Sequence, residues 1–134
     1  MQNFSLPVRV YYEDTDAGGV VYYANYLRFL ERARTELLRN LGFGQAKLAS
    51  DAGIAFAVRS LTVEFLKSAR LDDQLEVATR IESLGRAQAL FDQRIERAGE
   101  TLLTATVRLA CLDLKRGRAT AIPDDIYDEL KKLT

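Results

Sequence analysis

The first third of the chain changes from a two-residue apolar period to a helical one. From Leu6 to Tyr12 apolar residues occupy every second position, which predicts a strand. After Gly18-Gly19 they recur at steps of three and four, which predicts one long amphipathic helix. We expect Asn25 to cap the start of this helix and Gly42 to end it. The predicted buried stripe consists of Tyr22, Tyr26, Phe29, Leu30, Ala33, Leu37 and Leu41.

Strand patterns dominate the chain after a short second helix predicted at about residues 44–51. Apolar residues alternate from Ile54 to Val58 and then, on the opposite parity, from Leu61 to Phe65. This slip of one residue predicts a β-bulge near Ser60. Further strands are predicted at about 75–82, 89–96, 103–111 and after residue 118, separated by turns at Gly85-Arg86, Ala98-Gly99 and Lys115–Arg118. Pro123 then opens a C-terminal helix with two acids in its first turn.

The order of elements predicts the fold class. A strand is followed by a long helix and then by four or five strands joined by short turns, and short turns join antiparallel neighbours. An antiparallel sheet wrapped around one long central helix is an α+β arrangement. We expect residues 1–134 to form a single domain, because this length is ordinary for one hydrophobic core.

Composition narrows the possible partners. The formal net charge is zero and no basic stripe with interleaved aromatic residues is present, so nucleic acid is not an expected partner. The apolar runs are far shorter than the roughly 20 residues that a membrane span needs. The N-terminal segment has neither a basic nor an apolar region of the kind found in signal peptides, so we expect a cytoplasmic protein. The single cysteine, Cys111, falls on the apolar face of its strand and is expected to lie in the core.

The absence of histidine from the sequence limits the chemistry. Ser-His-Asp and Cys-His catalysis both require an imidazole base, and HExxH zinc hydrolases require imidazole ligands. Carboxylates, hydroxyls, backbone amides and basic side chains must therefore carry out any catalysis. We expect neither a metal nor a cofactor.

Three acids crowd the segment between the first strand and the long helix. Glu13, Asp14 and Asp16 precede the glycine pair, so a carboxylate lies beside the N-terminus of a helix. A carboxylate can act as a base or a nucleophile, and the free N–H groups of a helix N-terminus can stabilise an oxyanion. The alternative for Asp16 is a structural role in the turn, which is common for aspartate. We expect Glu13 and Asp14 to be structural or solvated.

Three segments of the chain form a recognisable pattern: DTDAGGVVYYANYLRFLERART, RSLTVEFLKSARLDD and AIPDDI. Together they resemble the hotdog-fold acyl-CoA thioesterases. The similarity is greatest to the Tol–Pal-associated branch and more distant to 4-hydroxybenzoyl-CoA thioesterase. It implies a hotdog fold, Asp16 as the nucleophile or general base, and the Tyr23 amide as the group that polarises the thioester carbonyl. The Tol–Pal-associated branch usually carries histidine where this chain has Tyr23.

The resemblance also implies an acyl-CoA substrate, whose phosphates need cations near the site. Arg86 matches a position that contacts the nucleotide in similar enzymes. Arg116, Arg118 and Lys67 are further candidates for phosphate binding, since they are basic residues in or next to turns. Ser60, beside the predicted bulge, is a candidate for fixing water or the thioester.

Family members pair their sheets into dimers that assemble as tetramers, so a homo-oligomer with sites at subunit interfaces is implied. One alternative is a non-catalytic CoA-binding or scaffold protein of the cell-envelope or phospholipid-synthesis machinery. A hotdog dehydratase is disfavoured, because that chemistry uses a histidine that this chain lacks.

Overall fold

The computed structural model describes residues 3–134 and has six strands, three helices and two single helical turns. Met1 and Gln2 lie outside the described residues. The predicted single domain begins with them, as does the segment that is expected to lack a signal peptide. The strands are β1 (Phe4–Arg9), β2 (Ile54–Phe65), β3 (Gln74–Leu84), β4 (Gln88–Arg97), β5 (Glu100–Asp113) and β6 (Arg118–Ala119). The helices are α1 (Tyr23–Asn40), α2 (Gln45–Lys47) and α3 (Asp124–Lys131), and the two turns are a 3-10 turn at Tyr12–Asp14 and a π-helical turn at Leu48–Ala52.

The strands form one antiparallel sheet in the order β1-β3-β4-β5-β2, and β6 pairs with β5. The inward faces of the strands and the buried face of α1 contribute to one hydrophobic core, at whose centre Phe29 of α1 and Phe91 of β4 are both nearly inaccessible. Cys111 belongs to this core, as predicted. The prediction of an α+β fold with an antiparallel sheet around a long helix is confirmed.

The predicted bulge in β2 is confirmed. The register of β2 against β5 shifts between Val58 and Ser60, where the apolar pattern changes parity. Because β2 is an edge strand, Val58 and Leu61 nevertheless remain 47% and 40% exposed. The alternation of apolar residues therefore predicted the position of the bulge but not the exposure of these two side chains.

The ends of the first two elements differ from the prediction. Tyr12 does not continue β1 but lies in the 3-10 turn and is 82% exposed, because the chain bends after Arg9. Tyr22 precedes α1 and is half-exposed, so it does not belong to the buried stripe. Asn25 is not the cap of α1 but lies in its first turn, where its side chain bonds to Asp14. Gly42 ends the helix with a positive φ of 92°, as predicted.

A buried polar network joins α1 to the sheet. The Arg34 guanidinium donates to Gln93 Oε1 at 2.9 Å. Gln93 Nε2 in turn donates to the Leu30 carbonyl oxygen at 3.0 Å and to Thr79 Oγ1 at 2.8 Å. Arg34, Thr79 and Gln93 are all buried, and burial lowers the pKa of Arg34. The network fixes α1 relative to β3 and β4.

None of the helices in residues 3–134 combines the length and the apolar composition that crossing a membrane requires.

Candidate active site

The turn that carries Asp16 depends on both glycines. Asp16 Oδ1 accepts a hydrogen bond from the Gly18 amide at 2.8 Å. A Cβ atom on Gly18 would lie 3.2 Å from that oxygen, so any larger residue would press on the carboxylate. Gly19 has a φ of +78°, which disfavours residues with a Cβ. The glycine pair therefore holds the Asp16 carboxylate close to the backbone, with its side chain exposed to solvent.

Helix α1 begins immediately after this turn with free backbone donors. The Asn25 amide donates to the Tyr22 carbonyl oxygen at 2.8 Å, and no side chain caps the helix. Among residues 3–134, the Tyr23 and Ala24 amides have no hydrogen-bond acceptor. Two N–H groups at the positive end of an 18-residue helix are therefore available to a ligand.

A loop that follows β2 packs against the Asp16 turn. The Ala69 amide donates to Tyr26 Oη at 2.9 Å, and the Val21 amide donates to the Ala69 carbonyl oxygen at 2.9 Å. Val20 and Arg70 form an isolated antiparallel bridge. Burial raises the pKa of Tyr26, so its hydroxyl stays neutral. The loop thus closes one side of the site through backbone contacts to Val20 and Val21 and a hydrogen bond to the Tyr26 side chain.

Asp16 lies between two clefts. The first has a volume of about 290 Å³, and Asp16 lines it together with Tyr23, Phe65 and Lys67. The second, of about 430 Å³, is lined by Asp16 and by Tyr12 and Leu71 among others. A carboxylate at this junction can contact the centre of an elongated ligand whose two ends occupy different clefts.

Aromatic rings form the wall of the first cleft. Tyr23 is 63% exposed and meets Phe65 edge-on, with ring centroids 6.3 Å apart. Phe65 also packs against the buried Tyr26, with ring centroids 5.9 Å apart. Since Phe65 is itself half-exposed, this wall offers apolar surface to a bound group.

Lys67 lines the first cleft and belongs to an ionic network at the rim of that cleft. Its Nζ pairs with Glu100, which also accepts from Arg97, and both hydrogen bonds lower the pKa of Glu100. Arg97 also donates to Asp73 at 2.8 Å. Burial raises the pKa of Asp73, but bonds from the Arg70 amide and from Arg97 outweigh it, so the net pKa is lowered. The network anchors the loop that closes the cleft.

The other predicted site residues lie away from Asp16 in the folded chain. Arg86 lines a third cleft, of about 370 Å³, together with Arg108, which was not predicted. Arg116, in the turn between β5 and β6, and Arg118, the first residue of β6, are exposed close to the same end of the sheet. Ser60 is exposed on β2 and lines none of the clefts described above. The structure therefore groups Asp16, Tyr23 and Lys67, and separates them from Arg86, Arg116, Arg118 and Ser60.

The register of β5 shows how far apart these groups lie. Phe65, in the wall of the first cleft, pairs with Leu103, whereas Arg118 pairs with Asp113. At about 3.3 Å per residue, Leu103 and Asp113 are roughly 30 Å apart along the strand. The fold of a single chain therefore does not bring the Arg118 turn to Asp16.

Asp16 and the open N-terminus of α1 border one cleft, which is the arrangement that the resemblance to thioesterases implies. Comparison with known proteins identifies the family of the chain. The model of the thioesterase-like superfamily matches residues 10–130. The chain belongs to this superfamily. The prediction of a hotdog fold is thereby confirmed, and the hydrolases named below, 50% identical over most of the chain, confirm the prediction of a thioesterase enzyme.

Particular relatives cover nearly the whole chain. The acyl-CoA thioesterase YbgC of Haemophilus influenzae is 50% identical, over 92% of this chain and 90% of its own length. The acyl-CoA thioester hydrolase YbgC of Escherichia coli O6:H1 is 50% identical over 96% of both chains. Among solved structures, a probable thioesterase from Bartonella henselae is 38% identical with a TM-score of 0.87, over 91% of this chain and all of the other.

Proposed function

We propose that this protein hydrolyses the thioester of an acyl-CoA to a free acid and CoA, with Asp16 as the catalytic carboxylate. One observation carries the proposal. Asp16 and Tyr23, whose amide has no acceptor among residues 3–134, line the same cleft. The activity printed for the relatives of 50% identity supports the reaction class.

The geometry supports two chemical routes, and both remain open. In the first, Asp16 takes a proton from water as the oxygen of that water attacks the thioester carbonyl carbon. In the second, the Asp16 carboxylate attacks this carbon itself, and water then hydrolyses the mixed anhydride. In each route the carbonyl oxygen gains negative charge, which the Tyr23 amide stabilises. The C–S bond breaks, CoA leaves as the thiolate and takes up a proton, and the acid is released.

The two clefts that share Asp16 suit a substrate with two arms. The thioester lies between the acyl group and the long pantetheine arm of CoA, so its carbonyl belongs at the junction of the clefts. The aromatic wall of Tyr23 and Phe65 gives one arm an apolar surface. No metal or cofactor takes part in this scheme.

A panel of acyl-CoAs tests the function. We expect the parent protein to release CoA from at least one member of a set with short, medium, long and aromatic acyl groups. A thiol-detecting assay follows the release, and the preferred member identifies the acyl class. If no member is hydrolysed while CoA still binds, the reaction class is wrong.

We further propose that two chains pair through β2. Its outer edge is free along 12 residues of the described sheet, and Val58, Leu61 and Phe65 expose apolar surface along it. Such an edge is a template for pairing with another strand. A two-fold axis near Arg59 would align two β2 strands as antiparallel neighbours.

This pairing would complete the predicted site. It sets Phe65 opposite the partner's Ile54, which lies next to the partner's Asp113 in the sheet of that subunit. The partner's Asp113 would then lie two strand spacings, about 10 Å, from β2, and the partner's Arg118, which pairs with that aspartate, would lie three spacings, about 14 Å, away. The arginines that lie far from Asp16 in one protomer would thus bind the CoA phosphates at the site of the other. A tetramer would arise if two such dimers associate.

The double substitution of Val58→Lys and Leu61→Lys should separate the subunits. Like charges facing each other across the β2 edge repel, and the apolar contact is lost. We expect light scattering to give the monomer mass and turnover to fall at least tenfold, whereas Ala46→Lys on exposed α2 changes neither. A double variant that keeps the parent mass would contradict pairing through β2.

The non-catalytic CoA-binding or scaffold alternative is not favoured, because Asp16 and its glycine turn are intact and the named relatives are hydrolases. A cytoplasmic location and a link to the Tol–Pal system stay predictions.

A further inference from the structure

Asp14 is the buried member of the acidic segment, with only 6% of its surface exposed. Its Oδ2 accepts from the Tyr11 amide at 2.8 Å and its Oδ1 from Asn25 Nδ2 at 3.0 Å. Its carbonyl oxygen accepts from the Tyr22 amide at 2.9 Å. Both carboxylate oxygens are therefore engaged within the protein, so Asp14 is not the group that meets a substrate.

These contacts connect the parts of the site that must be aligned. Tyr11 follows the first strand, and Asp14 lies two residues before Asp16. Asn25 lies in the same first helical turn as the free amides of Tyr23 and Ala24. No other side-chain hydrogen bond in residues 3–134 links the acidic segment to α1. The Asp14–Asn25 bond thus fixes the helix N-terminus relative to the Asp16 carboxylate.

We propose that Asp14 and Asn25 are positioning residues, which hold the Tyr23 amide and Asp16 at the separation that catalysis needs. This inference rests on the proposed function of Asp16. A displacement of about 1 Å between catalytic groups is enough to lower a rate strongly while substrate binding persists. The expected signature is therefore a loss in kcat with little change in KM.

The chemistry of the pair allows a reciprocal exchange. In Asp14→Asn the new amide has only one acceptor oxygen for two donors, the Tyr11 amide and the Asn25 side chain. One of the two hydrogen bonds is therefore lost. In Asn25→Asp two carboxylates face each other and repel. In the double exchange the amide oxygen at position 14 accepts from Tyr11, and its NH₂ group donates to the carboxylate at position 25. That carboxylate would lie in the first turn of α1, where the helix dipole favours negative charge.

The test compares the two single exchanges, the double exchange and Asn25→Ala. We expect each single variant and Asn25→Ala to lower kcat about 10- to 100-fold, with KM within about threefold of the parent. We expect the double exchange to recover kcat to within about fivefold. Glu13→Gln, an exposed acid in the same segment, is the matched control and should keep the parent kcat.

Two kinetic results would overturn the inference. One is a folded Asn25→Ala protein that keeps the parent kcat, since this substitution introduces no buried charge. The other is a folded double exchange no more active than the single ones. Amide NMR resonances of Tyr23 and Ala24 give a readout independent of turnover. They should shift in Asn25→Ala and return in the double exchange, and unchanged resonances would also contradict the role. A parent that hydrolyses no acyl-CoA would instead refute the proposed function.

Discussion

Replacing Asp16 with asparagine should lower kcat about 10²- to 10⁴-fold, the usual loss when a positioned base or nucleophile is removed. The amide cannot take a proton from water, and it is a poor nucleophile toward a thioester. It has the shape of the carboxylate, and its oxygen can still accept the hydrogen bond from the Gly18 amide. The fold should therefore survive, and steady-state release of CoA measures the loss.

Glu13→Gln is the control for Asp16→Asn. It removes one negative charge from the same acidic segment, but Glu13 is exposed and does not line the clefts that share Asp16. We expect it to keep the parent kcat. If Asp16→Asn stayed within about threefold of the parent, Asp16 would be a turn residue only.

Gln93→Leu should destabilise the fold by about 2–4 kcal/mol. The substitution leaves the buried Arg34 guanidinium without its acceptor and Thr79 without its donor. The Arg34 guanidinium is buried and therefore poorly solvated, and this burial lowers its pKa. An unsatisfied buried polar group costs about 1–3 kcal/mol, and a charged one costs more.

Chemical denaturation monitored by circular dichroism measures this loss, and Gln88→Leu is the matched control. Gln88 also lies on β4 and accepts from an arginine, Arg108, at 3.0 Å. That pair is only partly buried, so water replaces the lost contact, and we expect a cost below about 1 kcal/mol. Equal losses in the two variants would show that the buried network contributes little.

The fold could be predicted from the sequence because apolar period and parity are local signals. The change in parity after Val58 located the bulge before any strand pairing was known. The apolar pattern did not predict correctly where β1 ends. Tyr12 continues the alternation but turns outward, because the following acids fold into a 3-10 turn that the pattern does not encode. The prediction that Tyr22 belongs to the buried stripe of α1 was wrong for a similar reason. A helix boundary depends on hydrogen bonds to residues outside the helix.

The site was predictable where it is contiguous in the chain. Asp16 and the glycine turn lie within four residues of each other, so their contact follows from local geometry. The partners of Lys67 and Asp14 were not found, because they are fixed by strand pairing and by the docking of α1. A signal for the Arg34–Gln93 network did exist, since both polar residues occupy inward positions of otherwise apolar stripes.

A crystal structure of the Asp16→Asn variant with an intact acyl-CoA bound would test the proposed catalytic roles of Asp16 and Tyr23. We expect the thioester carbonyl oxygen to lie about 2.7–3.1 Å from the Tyr23 amide nitrogen, the range for oxyanion donors. We also expect the side chain at position 16 to lie on the other side of the carbonyl carbon. If the acyl-CoA were ordered elsewhere on the protein, with its thioester away from both groups, these roles would be wrong.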